Sequence, residues 1–243
     1  MLSCLPLSVE NYTADELDEI EKQFTDKALF KSIFFGDGTN IIPQIYQYIN
    51  NYKMFDESEI KLCKIEELSH WKMKNKELVC DTPYSFKVVF CDIEIEGREV
   101  KHWCQPLFEA TGIATFGMLT CVDKGVRKFL VKCRNEVGCF DKIEIGPSVQ
   151  REYISNEPKD NIDKLFDEKL EAKQGIMFDT LLSEEGGRFY QEQNRNVIIE
   201  IEKDEIELPG GAFWCDYKTL NTLVQVNNTL NIQLRNLLSV LEF

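Results

Sequence analysis

The stretch over residues 84–154 constrains the fold most, because β-forming and polar residues alternate along much of its length. Two short groups, at residues 96–98 and 123–125, combine glycine with charged residues and have the composition of hairpin turns. A Gly-Pro pair at residues 146–147 ends a further strand. These features predict a mainly antiparallel sheet over residues 84–154.

Helical spacing of apolar residues precedes this stretch. Residues 13–34 are predicted to form one helix that begins with the capping-box pair Thr13 and Glu16, and residues 41–51 a shorter helix. We expect residues 1–61 to form a helical arm, which could cover a core or bind a second subunit.

Helical spacing returns after the sheet. Helices are predicted over residues 162–170 and 177–182, a strand over residues 197–201, and two further helices around residues 220–224 and 234–241. The order helix, sheet, helix, strand, helix predicts an α+β fold. Residues 62–243 are expected to form one compact module.

The charge of the chain excludes some classes of partner. The formal net charge is -14, and neither nucleic acid nor an anionic membrane attracts so acidic a protein. No apolar run reaches the roughly 18 residues that a membrane-spanning helix needs. The first residues turn acidic at once and lack the basic start of a signal peptide, so a cytoplasmic location is expected.

The cysteines do not predict a metal site. Their number, 9, is odd, no CxxC occurs, and only 2 histidines are present. Scattered cysteines with apolar neighbours are typical of reduced thiols in a cytosolic protein. The chain also lacks the GxGxxG, Walker and GxSxG patterns, so neither a dinucleotide site nor a serine hydrolase is indicated.

Two segments in the predicted sheet carry polar side chains suited to binding. Trp103, Gln105 and Glu109 stand at a strand end and suit recognition of a polar ring, although a buried tryptophan with solvated neighbours fits them about as well. Residues 124–134 hold an excess of cations, and alternation places Lys128, Lys132 and Arg134 on one face, where they could hold a diphosphate. The commoner alternative is a charged, solvent-facing edge strand.

A third segment, SEEGGRFYQEQNRN (residues 183–196), concentrates hydrogen-bonding side chains just before an apolar strand. Arg188 and Arg195 offer forked donors, and Asn194 and Asn196 stand on either side of Arg195 in the chain. The segment is either a solvated loop or the wall of a polar site.

Taken in order, these segments resemble the NDP-hexose 2,3-dehydratases of deoxysugar biosynthesis. The resemblance covers about residues 71–243, and residues 183–196 are its most specific part. The other matching segments are WCQPLFEATGI (103–113), KCRNEVG (132–138), PSVQ (147–150) and VNNTLNIQLRNLL (226–238). The chain departs from the family at CDTPYSFKV (80–88), where a histidine and paired phenylalanines are usual, and at EVGC (136–139), where Glu-Pro-Gly-Asn is usual.

The resemblance implies a Nudix-like fold, in which a mixed or antiparallel sheet is flanked by helices. Family members carry two copies of the module, and this chain is about one module long, so a homodimer is expected. A Nudix metal box needs Arg-Glu followed closely by paired glutamates. The pairs at residues 98–99 and 151–152 lead into VKHW and YISN instead, so no metal is expected.

The chemistry implied is an elimination from a nucleotide-linked, in the first instance dTDP-linked, 4-keto-6-deoxyhexose. A base removes the C3 proton, an acid helps the C2 hydroxyl leave as water, and no redox cofactor is needed. The candidate catalytic residues are Glu109, Glu136, Glu184 and Tyr190, with Glu185 and Tyr153 as further proton carriers. The candidate substrate-binding residues are Trp103, Gln105, Arg134, Gln150, Arg188, Asn194, Arg195 and Asn196.

Two other functions remain open at the level of sequence. A lone module could bind a nucleotide sugar without turning it over. The chain could also be an interaction protein that uses its acidic N-terminal arm. Binding of a nucleotide sugar separates the first two functions from the third, and turnover separates the first from the second.

Overall fold

The β-forming stretch is divided between two sheets in the computed structural model, which describes residues 9–241. The first sheet is antiparallel, with β1 (Trp71–Lys74), β2 (Glu77–Cys80), β3 (Phe86–Glu94) and β4 (His102–Ala110) in that order. The turn predicted at residues 96–98 lies between β3 and β4, with Gly97 at φ 88°. The prediction of a mainly antiparallel arrangement is confirmed, but the strands do not form one sheet.

The second sheet has seven strands and is mixed. They are β5 (Thr115–Asp123), β6 (Val126–Asn135), β7 (Ile143–Pro147), β8 (Val149–Arg151), β9 (Ile176–Ser183), β10 (Gln193–Glu200) and β11 (Ala212–Asp216). The order is β11-β6-β5-β10-β9, with β7 beside β6 and β8 beside β5. β10 contains most of the strand predicted over residues 197–201 and runs parallel to β5.

Residues 177–182, predicted as a helix, belong to β9, so that prediction is wrong. β9 pairs with β10 in antiparallel register from Ser183↔Gln193 to Ile176↔Ile199. Over so short a length, the apolar residues of this segment fit both the helical and the strand spacing. Pairing with a neighbouring strand decides between the two conformations.

Six helices complete the described part of the chain. They are α1 (Ala14–Gln23), α2 (Lys27–Phe34), α3 (Ile42–Phe55), α4 (Asn161–Ala172), α5 (Tyr217–Val224) and α6 (Ile232–Ser239). The single helix predicted over residues 13–34 is two helices. The capping box at Thr13 starts α1 as predicted, but Phe24 is extended and Asp26 caps α2 by accepting the N–H groups of Ala28 and Leu29.

Helices pack against both faces of the second sheet. On the main core face, Phe30 and Phe34 of α2 join the same hydrophobic cluster as Phe129 of β6 and Leu234 of α6. On the opposite face, hereafter the α4 face, Phe166 belongs to a second cluster. The α+β prediction is confirmed, whereas the boundary between arm and module stays a prediction. None of the helices between residues 9 and 241 has the length and apolar character needed to cross a bilayer.

Candidate functional site

A cavity of about 300 Å³ lies where the two sheets meet on the main core face. Its walls come from the start of β3, the end of β4, the loop between β9 and β10, and the first turn of α6. Glu152, Glu184 and Glu192 line it, and we call it the carboxylate pocket. Arg188 is the one cation among the described residues that line it, against three glutamates, so the pocket concentrates negative charge.

Strand register explains which polar side chains reach this pocket. Phe116 of β5 lies opposite Gln150 of β8 and Asn196 of β10. Because side chains alternate across a sheet, Asn194 and Glu152, two residues away from Asn196 and Gln150, share the same face. The parallel β5–β10 pair therefore brings distant polar segments together over the pocket floor.

Glu184 and Glu192 are cross-strand neighbours at the open end of β9 and β10. The Glu184 backbone N–H donates to the Glu192 carbonyl at 3.0 Å, which extends the strand register by one pair. Asn194 lies 2% exposed, and its Nδ2 donates to Oε1 of Glu184 at 2.9 Å and to Oε1 of Glu192 at 3.4 Å. One buried amide therefore bridges two carboxylates.

Two buried amide oxygens beside these carboxylates have no hydrogen-bond partner among the described residues. They are Oδ1 of Asn194 and Oδ1 of Asn196. The Nδ2 of Asn196 donates to the backbone carbonyl of Asn194, at 3.0 Å. A buried acceptor without a donor is costly, so these oxygens are suited to a hydroxyl of a ligand or to water.

The pocket shifts two of its carboxyls toward the protonated form. Burial raises the pKa of Glu192, the Asn194 hydrogen bond opposes this, and the charges of Glu184 and Glu152 add to the rise. Burial also raises the pKa of Glu152, with a further rise from the charge of Glu136. A raised pKa favours the protonated form of a carboxyl, which is the form that acts as a general acid.

A polar network lies behind the pocket and includes Glu136. Its Oε1 accepts from Gln150 Nε2 at 3.3 Å and from Asn231 Nδ2 at 3.2 Å. Asn231 also donates to Gln150 Oε1 at 2.9 Å and caps α6 through Leu234 N–H. The network fixes the helix whose residues Ile232 and Gln233 line the pocket.

Aromatic rings form the apolar part of the pocket wall. The rings of Phe86 and Phe108 lie 4.8 Å apart, edge to face, and Phe189 lies 6.2 Å from Phe108. The exposed Arg188 guanidinium lies 5.4 Å from the centre of the Phe189 ring and 2.5 Å from a Glu185 oxygen. An aromatic wall beside a cation suits a ring joined to an anionic group.

Of the candidate catalytic residues, Glu184 lines the carboxylate pocket and Glu136 lies behind it. Glu109 and Tyr190 line a neighbouring cavity of about 270 Å³, which shares Glu192 with the first. Glu109 is paired there with Lys87, at 3.1 Å. Sequence reasoning therefore named residues of two adjoining cavities.

The candidate binding residues separate in the same way. Asn194 and Arg188 line the carboxylate pocket, whereas Gln150 and Asn196 lie beside its lining residue Phe116 on the neighbouring strands and do not line it themselves. Trp103 donates to Gln105 at 2.9 Å, and Gln105 donates to the Gly187 carbonyl, so this pair supports the β9–β10 loop from outside the pocket lining.

Arg188 lines the carboxylate pocket, but the other predicted cations do not converge on it. Arg195 pairs with Asp179 at 2.7 Å, and alternation from Asn194 places it on the α4 face. Arg134 donates to the carbonyls of Pro147 and Ser148. Lys128 and Lys132, expected with Arg134 to hold a diphosphate, pair instead with aspartates, at residues 216 and 160.

Sequence reasoning missed three residues of this site: Glu152, Glu192 and Asn231. A signal existed for each. Glu152 continues the alternation from Gln150, Glu192 precedes Asn194 by two positions, and Asn231 stands at a helix start where an asparagine caps well.

Comparisons with known proteins follow the same segments. A profile of the family described as NDP-hexose 2,3-dehydratase matches residues 43–241. A dTDP-4-dehydro-6-deoxy-alpha-D-glucopyranose 2,3-dehydratase from Streptomyces violaceoruber is 30% identical over 67% of this chain and 37% of its own length. A relative of the same name from Saccharopolyspora spinosa is 29% identical over 99% of this chain and 50% of its own length.

The chain thus spans half or less of the length of these curated relatives. Among solved structures, the Ap4A hydrolase of C. elegans matches 46% of this chain and 86% of its own, with 13% identity and a TM-score of 0.31. At that TM-score the match does not establish a shared fold, and the Nudix-like part of the fold expectation stays a prediction.

Proposed function

The chain belongs to the NDP-hexose 2,3-dehydratase family, and from that premise we propose that its carboxylate pocket dehydrates a nucleotide-linked 4-keto-6-deoxyhexose. The curated relatives are named for a dTDP-linked sugar, so dTDP is the first nucleotide to test. The activity proposed is that of a carbon–oxygen lyase. It moves no electrons to an external carrier, so the proposal includes no redox cofactor. It includes no metal, because no Arg-Glu pair in the sequence is followed closely by the paired glutamates of a Nudix metal box.

The observation that carries the proposal is the group of glutamates in one pocket. Elimination needs a base for the C3 proton, which the C4 ketone acidifies, and an acid for the C2 hydroxyl. Glu184 and Glu192 both accept hydrogen bonds from the buried side-chain amide of Asn194, and Glu152 lines the same cavity. The pKa rise at Glu152 and Glu192 supports an acid in the same place as a base.

The remaining walls support a nucleotide sugar as the ligand. The carboxyl groups of Glu184 and Glu192, which line the cavity, would bind sugar hydroxyls. The rings of Phe108 and Phe189 would contact the heterocyclic base of the nucleotide, and Arg188 would contact the diphosphate. Gln150 and Asn196 would support this wall from the strands on either side of Phe116.

The test is turnover of dTDP-4-keto-6-deoxyglucose by the whole chain. Mass spectrometry should find a product lighter than the substrate by one water, formed only when protein is present. No loss of water at protein concentrations that bind the sugar would contradict the proposal.

A second candidate is a nucleotide-sugar binder without turnover, because the chain is half or less of the length of relatives named as enzymes. A rise in melting temperature with dTDP, without loss of water, would favour it. We also propose a homodimer, to be tested by sedimentation, and a cytoplasmic location. The latter agrees with the free thiols of all eight described cysteines.

A further inference from the structure

We propose that Asn194 is a positioning residue that divides two roles between neighbouring carboxylates, with Glu184 as the base that takes the C3 proton and Glu192 as the acid that protonates the leaving C2 hydroxyl. The inference rests on the proposed dehydration and goes beyond it by giving each group its own role.

The first reason is the cost of the arrangement. Glu184 and Glu192 stand opposite each other at the end of an antiparallel ladder, joined by a 3.0 Å backbone hydrogen bond. Like charges in this position destabilise a sheet. The charge of Glu184 accordingly contributes to the raised pKa of Glu192. An acid–base elimination requires one ionised and one protonated group, and the neighbouring pair offers a carboxyl for each role.

The second reason is the unequal contact with Asn194. Its Nδ2 lies 2.9 Å from Glu184 and 3.4 Å from Glu192. A donor stabilises the ionised form of the carboxylate to which it binds more closely. Because Asn194 is buried and strand-bound, the difference is built into β10 rather than into a mobile side chain.

The surroundings of Glu192 agree with the acid role. The charged groups that line the pocket with it are Glu152, Glu184 and Arg188. Arg188 is mostly exposed and paired with Glu185, whereas burial and the two neighbouring glutamates raise the pKa of Glu192. These surroundings favour the protonated form of Glu192, which is the form that the acid role requires.

Glu184 takes the C3 proton, and the C3–H electrons pass into the C4 ketone to form an enolate. Return of these electrons restores the C4 carbonyl and forms the C2–C3 double bond as the C2–O bond breaks. Glu192 gives its proton to the departing hydroxyl, which leaves as water. Glu184 is then protonated and Glu192 ionised, and exchange with solvent in the open pocket restores the starting state.

The first test needs no ligand. In protein with carbon-13 at the glutamate side-chain carboxyls, Glu192 should titrate at higher pH than Glu184, with signals assigned from Glu184→Gln and Glu192→Gln. In Asn194→Ala the gap between the two midpoints should narrow. A reversed order in the unsubstituted protein would overturn the assignment whether or not Asn194→Ala folds.

The second test uses the keto sugar in deuterated water. Glu192→Gln should still exchange the C3 proton for deuterium but lose most of its water release, whereas Glu184→Gln should lose both. Glu171→Gln, on the exposed surface of α4, is the matched control and should retain both. Exchange that survives in Glu184→Gln but not in Glu192→Gln would reverse the roles and contradict the inference.

The two tests separate failure of the inference from failure of the proposed function. If the unsubstituted protein neither exchanges C3 nor releases water, the dehydration fails, and the catalytic roles fail with it. The carboxyl titration then still decides whether Asn194 divides the protonation of the pair. If the protein dehydrates the sugar but Glu192 titrates below Glu184, the function stands and the inference is wrong.

Discussion

Asn231 donates its side-chain N–H to Glu136 at 3.2 Å and thereby joins the start of α6 to the end of β6. Asn231→Ala would remove this bond, the bond to Gln150 and the helix cap together. We expect the free energy of unfolding in urea to fall by about 1–3 kcal/mol. Asn231→Asp is the informative partner variant, because it keeps the cap but adds a carboxylate beside Glu136. Its loss of stability should shrink at low pH, and a loss independent of pH would contradict the network.

Glu192 lowers stability in its ionised form. Burial raises its pKa above the ordinary value of 4.5. The folded protein therefore binds this proton more tightly than the unfolded chain, and stability contributed by the protonated group is lost as pH rises through the folded pKa. Glutamine cannot ionise, so Glu192→Gln should be more stable than the unsubstituted protein at about pH 8 and nearly equal at about pH 4. Equal melting temperatures across this range would show that the carboxyl is not perturbed.

Arg127 is buried and holds α2 to the sheet. It pairs with Asp26, the cap of α2, and with Glu200 at 2.6 Å. Arg127→Met would leave the part-buried Asp26 without its cation, and we expect a loss of about 3 kcal/mol in urea unfolding. The exposed pair Lys22–Glu19 offers the control, since Lys22→Met should cost less than about 1 kcal/mol. Equal costs for the two variants would contradict the assigned difference.

Gly117 allows α4 to approach the sheet. A Cβ at this position would lie 2.3 Å from the ring of Phe166. Gly117→Ala should therefore destabilise the fold by about 1–3 kcal/mol, as overpacking does in other cores. Phe166→Leu in the same chain should cost less than the sum of the two single changes, because the smaller side chain leaves room for the methyl group. Additive costs would show that the two residues do not press on each other.

Local signals predicted the parts of the fold that depend on local chemistry. The capping box at Thr13 and the turn at residues 123–125 are both present, and the latter places Lys124 and Gly125 at positive φ. Asp26 is also a favoured capping residue, but the helical spacing of apolar residues continues across it and predicts one helix over residues 13–34. The sequence of β9 does not by itself predict a strand, because pairing with β10 decides its conformation.

The site was predicted in part for a related reason. Segment 183–196 does form its wall, and Glu184, Arg188 and Asn194 line it. Arg195 sits between two residues of the main core face and points to the α4 face, which only the strand register decides. Glu192 was missed because its importance comes from standing opposite Glu184 across a loop. Linear sequence does not display that relationship.

The proposed role of the carboxylate pocket is tested by the rate of water loss from dTDP-4-keto-6-deoxyglucose in Glu184→Gln, measured beside Glu171→Gln. The two changes are chemically identical, and only the first lies in the carboxylate pocket. We expect the rate to fall at least about 100-fold for Glu184→Gln, because a general base is lost, and to stay unchanged for the control. A folded Glu184→Gln protein that dehydrates the sugar at the rate of the control would contradict the proposed role.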